Sequence, residues 1–184
     1  MIHIDEITTI TAPIQRCFDL SRSVEVHFLA NIHGGEQALA IAGLTSGLTN
    51  LSDQVTWRAK HFGTWQNLTN EVTAIEPPTY FQVTMVKGIF RSMQTDHIFR
   101  TLPSGATEMQ DLLRISAPLP ILGPLAEVLF LRNYMLSLVR ERNAVIKQLA
   151  ESSDWQSYLP TQSDTPTQTA PASTNKTAQR QTRP

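Results

Sequence analysis

A histidine and an aspartate carry the clearest chemistry in this chain. Pro103-Ser-Gly105 separates two alternating runs, residues 89–101 and 106–117. A turn centred near Ser104 pairs Phe99 with Met109, His97 with Asp111, Thr95 with Leu113 and Met93 with Ile115. The two-residue period of a strand puts all eight side chains on one face. Apart from His97 and Asp111 the set is apolar or Thr, as a core face should be. A carboxylate beside an imidazole fixes its tautomer and raises its basicity. Two roles stay open. In one, His97 is a general base or ligand-binding donor in a cavity and Asp111 orients it. In the other, the two residues satisfy each other as a buried polar contact between neighbouring strands.

Other inward positions suggest a ligand site around this pair. Gly63-Thr64 suits a type II′ turn with Gly first. It pairs Phe62 with Trp65, His61 with Gln66 and Trp57 with Asn70. One face then carries Val55, Trp57, Ala59, His61, Leu68, Val72 and Ala74. His61 is a candidate for a cavity mouth, against the plainer reading of a half-exposed hairpin end. Trp57, Met85, Met93 and Phe99 are candidate apolar lining, although such residues at strand spacing also make plain core. Met135, on the inward stripe of the last helix, joins that lining. Arg91 falls on the inward face with Met93. It either meets an acidic head group or turns out to solvent along its alkyl stem.

Other chemistries find less support. Cys17 groups with Ile14 and Phe18 and reads as a small buried hydrophobe, with no basic neighbour to favour a thiolate. His3, His27 and His33 lack metal-ligand spacing, so no metal and no cofactor is expected. There is no Gly-rich phosphate loop and no Ser-centred nucleophile motif.

The elements that must position these residues follow from periodicity. Residues 2–11 alternate and are rich in Ile and Thr, as in a strand. Thr11-Ala-Pro13 starts a helical segment, with Thr11 as the expected cap and Pro13 in the first turn. Helical spacing covers 14–30, and the Gly pair at 34–35 breaks it. Strands are expected at 37–43, 54–62 and from Trp65 to Glu76, then from Thr79 to Lys87, before the two runs around Ser104. Beyond Pro118 and Pro120 the period changes. Leu125, Val128, Leu129, Arg132, Met135, Leu138, Val139, Arg142, Val145, Ile146 and Leu149 recur at three and four residues. This predicts one helix from about Pro124 to Glu151, roughly 40 Å long, enough to cross a small sheet. A meander of about seven strands with two short helices and one long terminal helix is an α+β architecture.

Composition bounds the rest. The chain has 184 residues, one cysteine, 15 basic and 16 acidic residues, and a net charge of −1. Its length favours one domain with a core that needs no disulfide. No Lys and Arg cluster suggests a nucleic-acid surface. Leu119 to Val139 contains Pro120, Pro124, Glu127, Arg132 and Asn133, a poor membrane span. MIHIDEITTI lacks a basic region followed by an apolar run. A cytoplasmic protein without stable membrane insertion is expected. From Pro160 onward no Val, Ile, Leu, Met or aromatic residue occurs. Such a Thr/Pro/Gln-rich segment buries nothing to offset the entropy of ordering. The expected domain is 1–152, with a disordered tail at 153–184.

The order of elements resembles the START-like, helix-grip fold of the SRPBCC superfamily. Local phrases are similar to those of its polyketide cyclase/dehydrase-like ligand-binding proteins. They are Thr45-Ser-Gly-Leu-Thr49, Val55-Thr-Trp57, His61-Phe-Gly63, Gly88-Ile-Phe90, Asp96-His97-Ile-Phe99, Thr107-Glu-Met109-Gln-Asp111 and Arg142-Asn143. The resemblance spans about residues 1–150. It implies a curved antiparallel sheet gripping the last helix and a small hydrophobic ligand, lipid- or polyketide-like, between them. Only some relatives of this fold are enzymes, so a cyclase or dehydratase using His97 and Asp111 is the alternative. Thr95 departs from the resemblance, which implies a histidine there.

Overall fold

The computed structural model describes residues 1–33, 38–61, 64–116 and 124–159. Strand β1 (Ile2–Ile10) leads into helices α1 (Ile14–Arg22) and α2 (Val24–His33). Strands β2 (Ala38–Gly43), β3 (Gln54–His61), β4 (Thr64–Glu76), β5 (Tyr80–Lys87), β6 (Ser92–Thr101) and β7 (Thr107–Ser116) follow. Helix α3 (Pro124–Glu151) and a short 3-10 turn (Asp154–Ser157) end the described chain. The strands form one seven-stranded sheet in the order β1-β7-β6-β5-β4-β3-β2. Every neighbouring pair is antiparallel. The α+β class, the sheet and the long helix from Pro124 to Glu151 agree with the sequence reading.

The β6–β7 hairpin keeps the expected register, with Met93 opposite Ile115, Thr95 opposite Leu113, His97 opposite Asp111 and Phe99 opposite Met109. Its turn is closed by the Ala106 carbonyl oxygen accepting from Leu102 N at 2.8 Å and the Leu102 carbonyl oxygen accepting from Gly105 N at 2.9 Å. Gly105 has φ +82°, a left-handed conformation that suits a residue without Cβ. Along β7, buried and half-buried residues alternate without a break. Strand β6 departs from alternation because Asp96 is buried on the outer face. There it accepts hydrogen bonds from Tyr80 (2.8 Å) and Gln82 (2.7 Å) and pairs with Arg114.

Four local expectations are corrected. Trp57 pairs with Leu68, not Asn70, and His61 with Thr64, not Gln66. The hairpin turn therefore lies one residue earlier than Gly63-Thr64; its linking residues 62 and 63 fall outside the described residues. Thr11 does not cap α1. The residue preceding the helix is Pro13, with no side-chain cap bond, and the Thr11 N–H instead donates to Glu151 Oε1 at 2.7 Å. Arg91 precedes β6 and is exposed, so strand alternation does not turn it inward. Residues 153–159 belong to the folded body rather than the tail. Trp155, Tyr158 and Leu159 pack on the core, and the Arg16 guanidinium lies 4.4 Å from the centre of the Trp155 ring. The expected disorder at 160–184 falls outside the described residues.

The core is divided. One cluster joins Ile10, Phe18, Phe81, Phe99, Met109, Ile146 and Leu149 at one end of the sheet and helix. Phe18 sets its ring edge-on to Phe81 and Phe99, with centroids 5.7 and 5.6 Å away, the arrangement that aromatic quadrupoles favour. The second cluster joins Ile2, Ile4, Met93, Leu113, Ile115, Leu131 and Val139. His97, Asp111 and Asn143 are buried but belong to neither cluster.

Candidate functional site

Strands β6 and β7 place His97 and Asp111 side by side, and α3 lays Arg142 and Asn143 against them. His97 Nδ1 donates to Asp111 Oδ1 at 2.5 Å. The other carboxylate oxygen, Oδ2, accepts from Asn143 Nδ2 at 2.7 Å and pairs with Arg142 Nη2 at 2.7 Å. Asn143 is oriented in turn, because its Oδ1 accepts from Arg142 and its Nδ2 also donates to Thr8 Oγ1. Asp111 is 0% exposed and His97 4%. The Phe81 ring stacks on the imidazole at 4.3 Å between centroids.

Electrostatics fix the protonation states. Burial alone would raise the Asp111 carboxyl. The Arg142 charge, His97 and the Asn143 amide outweigh it and hold the group well below the usual carboxylate range. For His97, burial is the larger effect and lowers the imidazole below its ordinary value, although Asp111 pulls the other way. The Arg142 charge already compensates the carboxylate, so Asp111 does not need a second cation. The stable arrangement is an ionised Asp111 and a neutral His97 carrying its proton on Nδ1. Nε2 is then a lone-pair acceptor, as a general base or a ligand-binding group requires.

His97 lines a cavity of about 230 Å³, bounded by α2, the sheet and α3. Val24, Val55, Trp57, Leu68, Val72, Val83, Leu113, Leu138 and Val139 make most of its apolar wall. Among the residues expected there, Trp57, Met93 and Met135 line it together with His97. The others stand elsewhere. Asp111 sits behind His97, Met85 packs beside the second core cluster, and Phe99 is buried in the first. Arg91 is exposed. His61 reaches the end of β3, and its side chain lies outside the described residues.

His27 is a site residue that the sequence reading passed over. It lines the cavity from α2, and its Nε2 donates to the Ser21 carbonyl oxygen at 2.9 Å. Burial, with the Arg142 charge, lowers its imidazole to about 4. Its ring centroid is 6.1 Å from that of Trp57. Arg142 was also underread. An arginine within the apolar stripe of a helix calls for a buried acid, and Asp111 is that acid. Among the described residues, no three His, Cys, Asp or Glu side chains are grouped to hold a metal ion. No helix among them is long and apolar enough to cross a membrane.

No family model and no curated protein sequence matches the chain. Solved structures do. A START superfamily protein from Mycobacterium smegmatis superposes with a TM-score of 0.61 at 12% identity, over 81% of this chain and 97% of that one. TTHA0849 from Thermus thermophilus gives 0.62 at 16% identity, over 82% and 99%. The major latex-like protein 151 of Panax ginseng gives 0.51 at 15% identity, over 77% and 95%. At these identities the likeness speaks for the backbone architecture and not for a shared ligand. An antiparallel sheet with two short helices after its first strand and a long final helix, matched over nearly the whole of these neighbours, is the START-like, helix-grip fold, and this chain has it.

Proposed function

We propose that the protein binds a small, mostly apolar molecule in the cavity between the sheet, α2 and α3. The observation that carries this reading is the wall itself: apolar side chains from three sides surround two neutral imidazoles, His97 and His27. Sites for small molecules are largely apolar hollows with a few placed polar groups. The START-like fold supports the same reading, because ligand binding is typical of it. The ligand is lipid- or polyketide-like in its apolar character, and at about 230 Å³ the cavity takes a compact part of such a molecule. Trp57, Met93, Met135 and His97 are its contacts. The single cysteine, Cys17, is buried and in no disulfide, which suits a reducing compartment such as the cytoplasm. The test is native mass spectrometry of the protein purified from its own host. A bound apolar molecule released on unfolding is expected. A bare mass, together with no quenching of Trp57 by any member of an apolar panel, would remove the proposal.

A second reading has its own observation. The 2.5 Å bond between His97 and Asp111, backed by Arg142 and Asn143, is how a general base is oriented. On this reading the cavity hosts a cyclase- or dehydratase-type proton transfer, with His97 Nε2 as the base and Asp111 holding its tautomer. Turnover of the identified ligand should then fall about 100-fold or more in His97→Gln. Unchanged turnover leaves the pair a structural one.

A further inference from the structure

The two imidazoles that line this cavity have spent their donors on the protein. His97 donates from Nδ1 to Asp111, and His27 donates from Nε2 to the Ser21 carbonyl oxygen. Both imidazoles are neutral near pH 7 because burial lowers them. A neutral imidazole has one N–H and one lone pair, so each ring has used its donor on the protein. His97 keeps Nε2, and His27 keeps Nδ1, as acceptors. Asn70 lines the same cavity, and its Oδ1 is buried with no hydrogen-bond partner. The Thr95 hydroxyl, also on the wall, serves either role.

The wall also lacks a free cation. Arg142, the only Lys or Arg among the described lining residues, is already bound to Asp111. A carboxylate, which only accepts, meets further acceptors there, and a neutral group carrying N–H or O–H meets unused lone pairs. Size narrows the choice, since a dry cavity of about 150 Å³ already holds benzene.

We infer that the ligand seated here is an uncharged one- or two-ring molecule bearing hydroxyl or other hydrogen-bond donors, a phenol or alcohol and not a carboxylate. The inference rests on the reading of this cavity as a ligand site. Its donors meet His97 Nε2 and His27 Nδ1, and an apolar ring fills the space beside Trp57.

The test is a calorimetric titration of the full-length wild-type protein at neutral pH with three probes of one shape: naphthol, its methyl ether and naphthoate. Naphthol should bind at least about tenfold more tightly than the ether, the size of effect that one well-made hydrogen bond gives. Naphthoate should bind most weakly. Naphthol has one donor, so its preference over the ether should shrink in His97→Phe or in His27→Phe, whichever ring accepts from it. Equal affinity of naphthol and ether, tightest binding by naphthoate, or an unchanged preference in both folded variants overturns the inference. If none of the three probes binds, the ligand-site reading itself fails, and that result is distinct from a failure of the donor rule.

Discussion

Replacing Asp111 by asparagine keeps the shape of the side chain between β7 and α3 and removes its charge. The Arg142 guanidinium, only 16% exposed, then loses the carboxylate it pairs with. Breaking one side of a buried ion pair costs about 3–5 kcal/mol, because the surviving charge stays desolvated. For a domain of this size, that lowers the melting temperature on the order of 10 °C. Arg142→Met should cost a similar amount by leaving Asp111 without its cation. The double variant Asp111→Asn/Arg142→Met removes both charges, so its loss should fall short of the sum by at least about 2 kcal/mol. Urea unfolding at pH 7 with a common slope measures all three. The pH dependence follows from the direction of the shift. The folded-state value of Asp111 lies below its unfolded value. Its contribution is therefore complete above about pH 4 and is lost as pH falls through the folded value. The penalty of Asp111→Asn should be full at pH 7 and shrink below about pH 4. Losses that add to within about 0.5 kcal/mol in the double variant would refute the claim that Arg142 holds Asp111 ionised.

Further outcomes follow from the same geometry. His27 titrates at about 4 in the folded chain against about 6.5 when unfolded. The unfolded chain therefore binds the proton more readily, and stability should fall as pH drops from 6.5 toward 4, by up to about 3 kcal/mol, reduced by the solvent that reaches this partly exposed ring. Unfolding midpoints at pH 7 and pH 5 measure it, and His27→Phe should flatten the slope. Phe18→Ala removes a fully buried ring with two edge-on partners and should cost about 3–5 kcal/mol by denaturant titration. Leu138→Trp should fill the cavity that Leu138 lines: naphthol affinity drops about tenfold or more while the melting temperature stays within a few degrees.

The sequence made some parts legible and left others hidden for physical reasons. The β6–β7 register was readable because alternation runs unbroken through β7 and only one turn fits between the two strands. The β3–β4 hairpin was misplaced because sliding its two-residue turn by one position changes each residue's partner but not its face. Burial patterning cannot separate those two choices. The same limit explains Phe99 and Met85. Parity assigns a face to each, but where along the strand the wall gives way to solid core depends on which helix residues lie opposite. The Arg142 contact with Asp111 crosses from helix to sheet, and no local period carries that information. His27 was lost among the apolar residues of α2, where a half-buried imidazole fits helical spacing as well as a leucine does. Residues 153–159 were given to the tail because a short polar stretch hid Trp155 and Tyr158, which supply enough apolar surface to dock.

The division of the core into two clusters bears on how the molecule moves. A cavity and a buried polar seam separate Phe18, Phe81 and Phe99 from Met93, Leu113 and Ile115. The two clusters share no buried apolar residue, and separate packing units of one protein open with different free energies. The amide protons of β7 sample both sides, since Met109 belongs to one cluster and Ile115 to the other. Hydrogen exchange along this single strand should therefore fall into two protection classes that meet at Asp111. A ligand entering between them would need only the weaker unit to open.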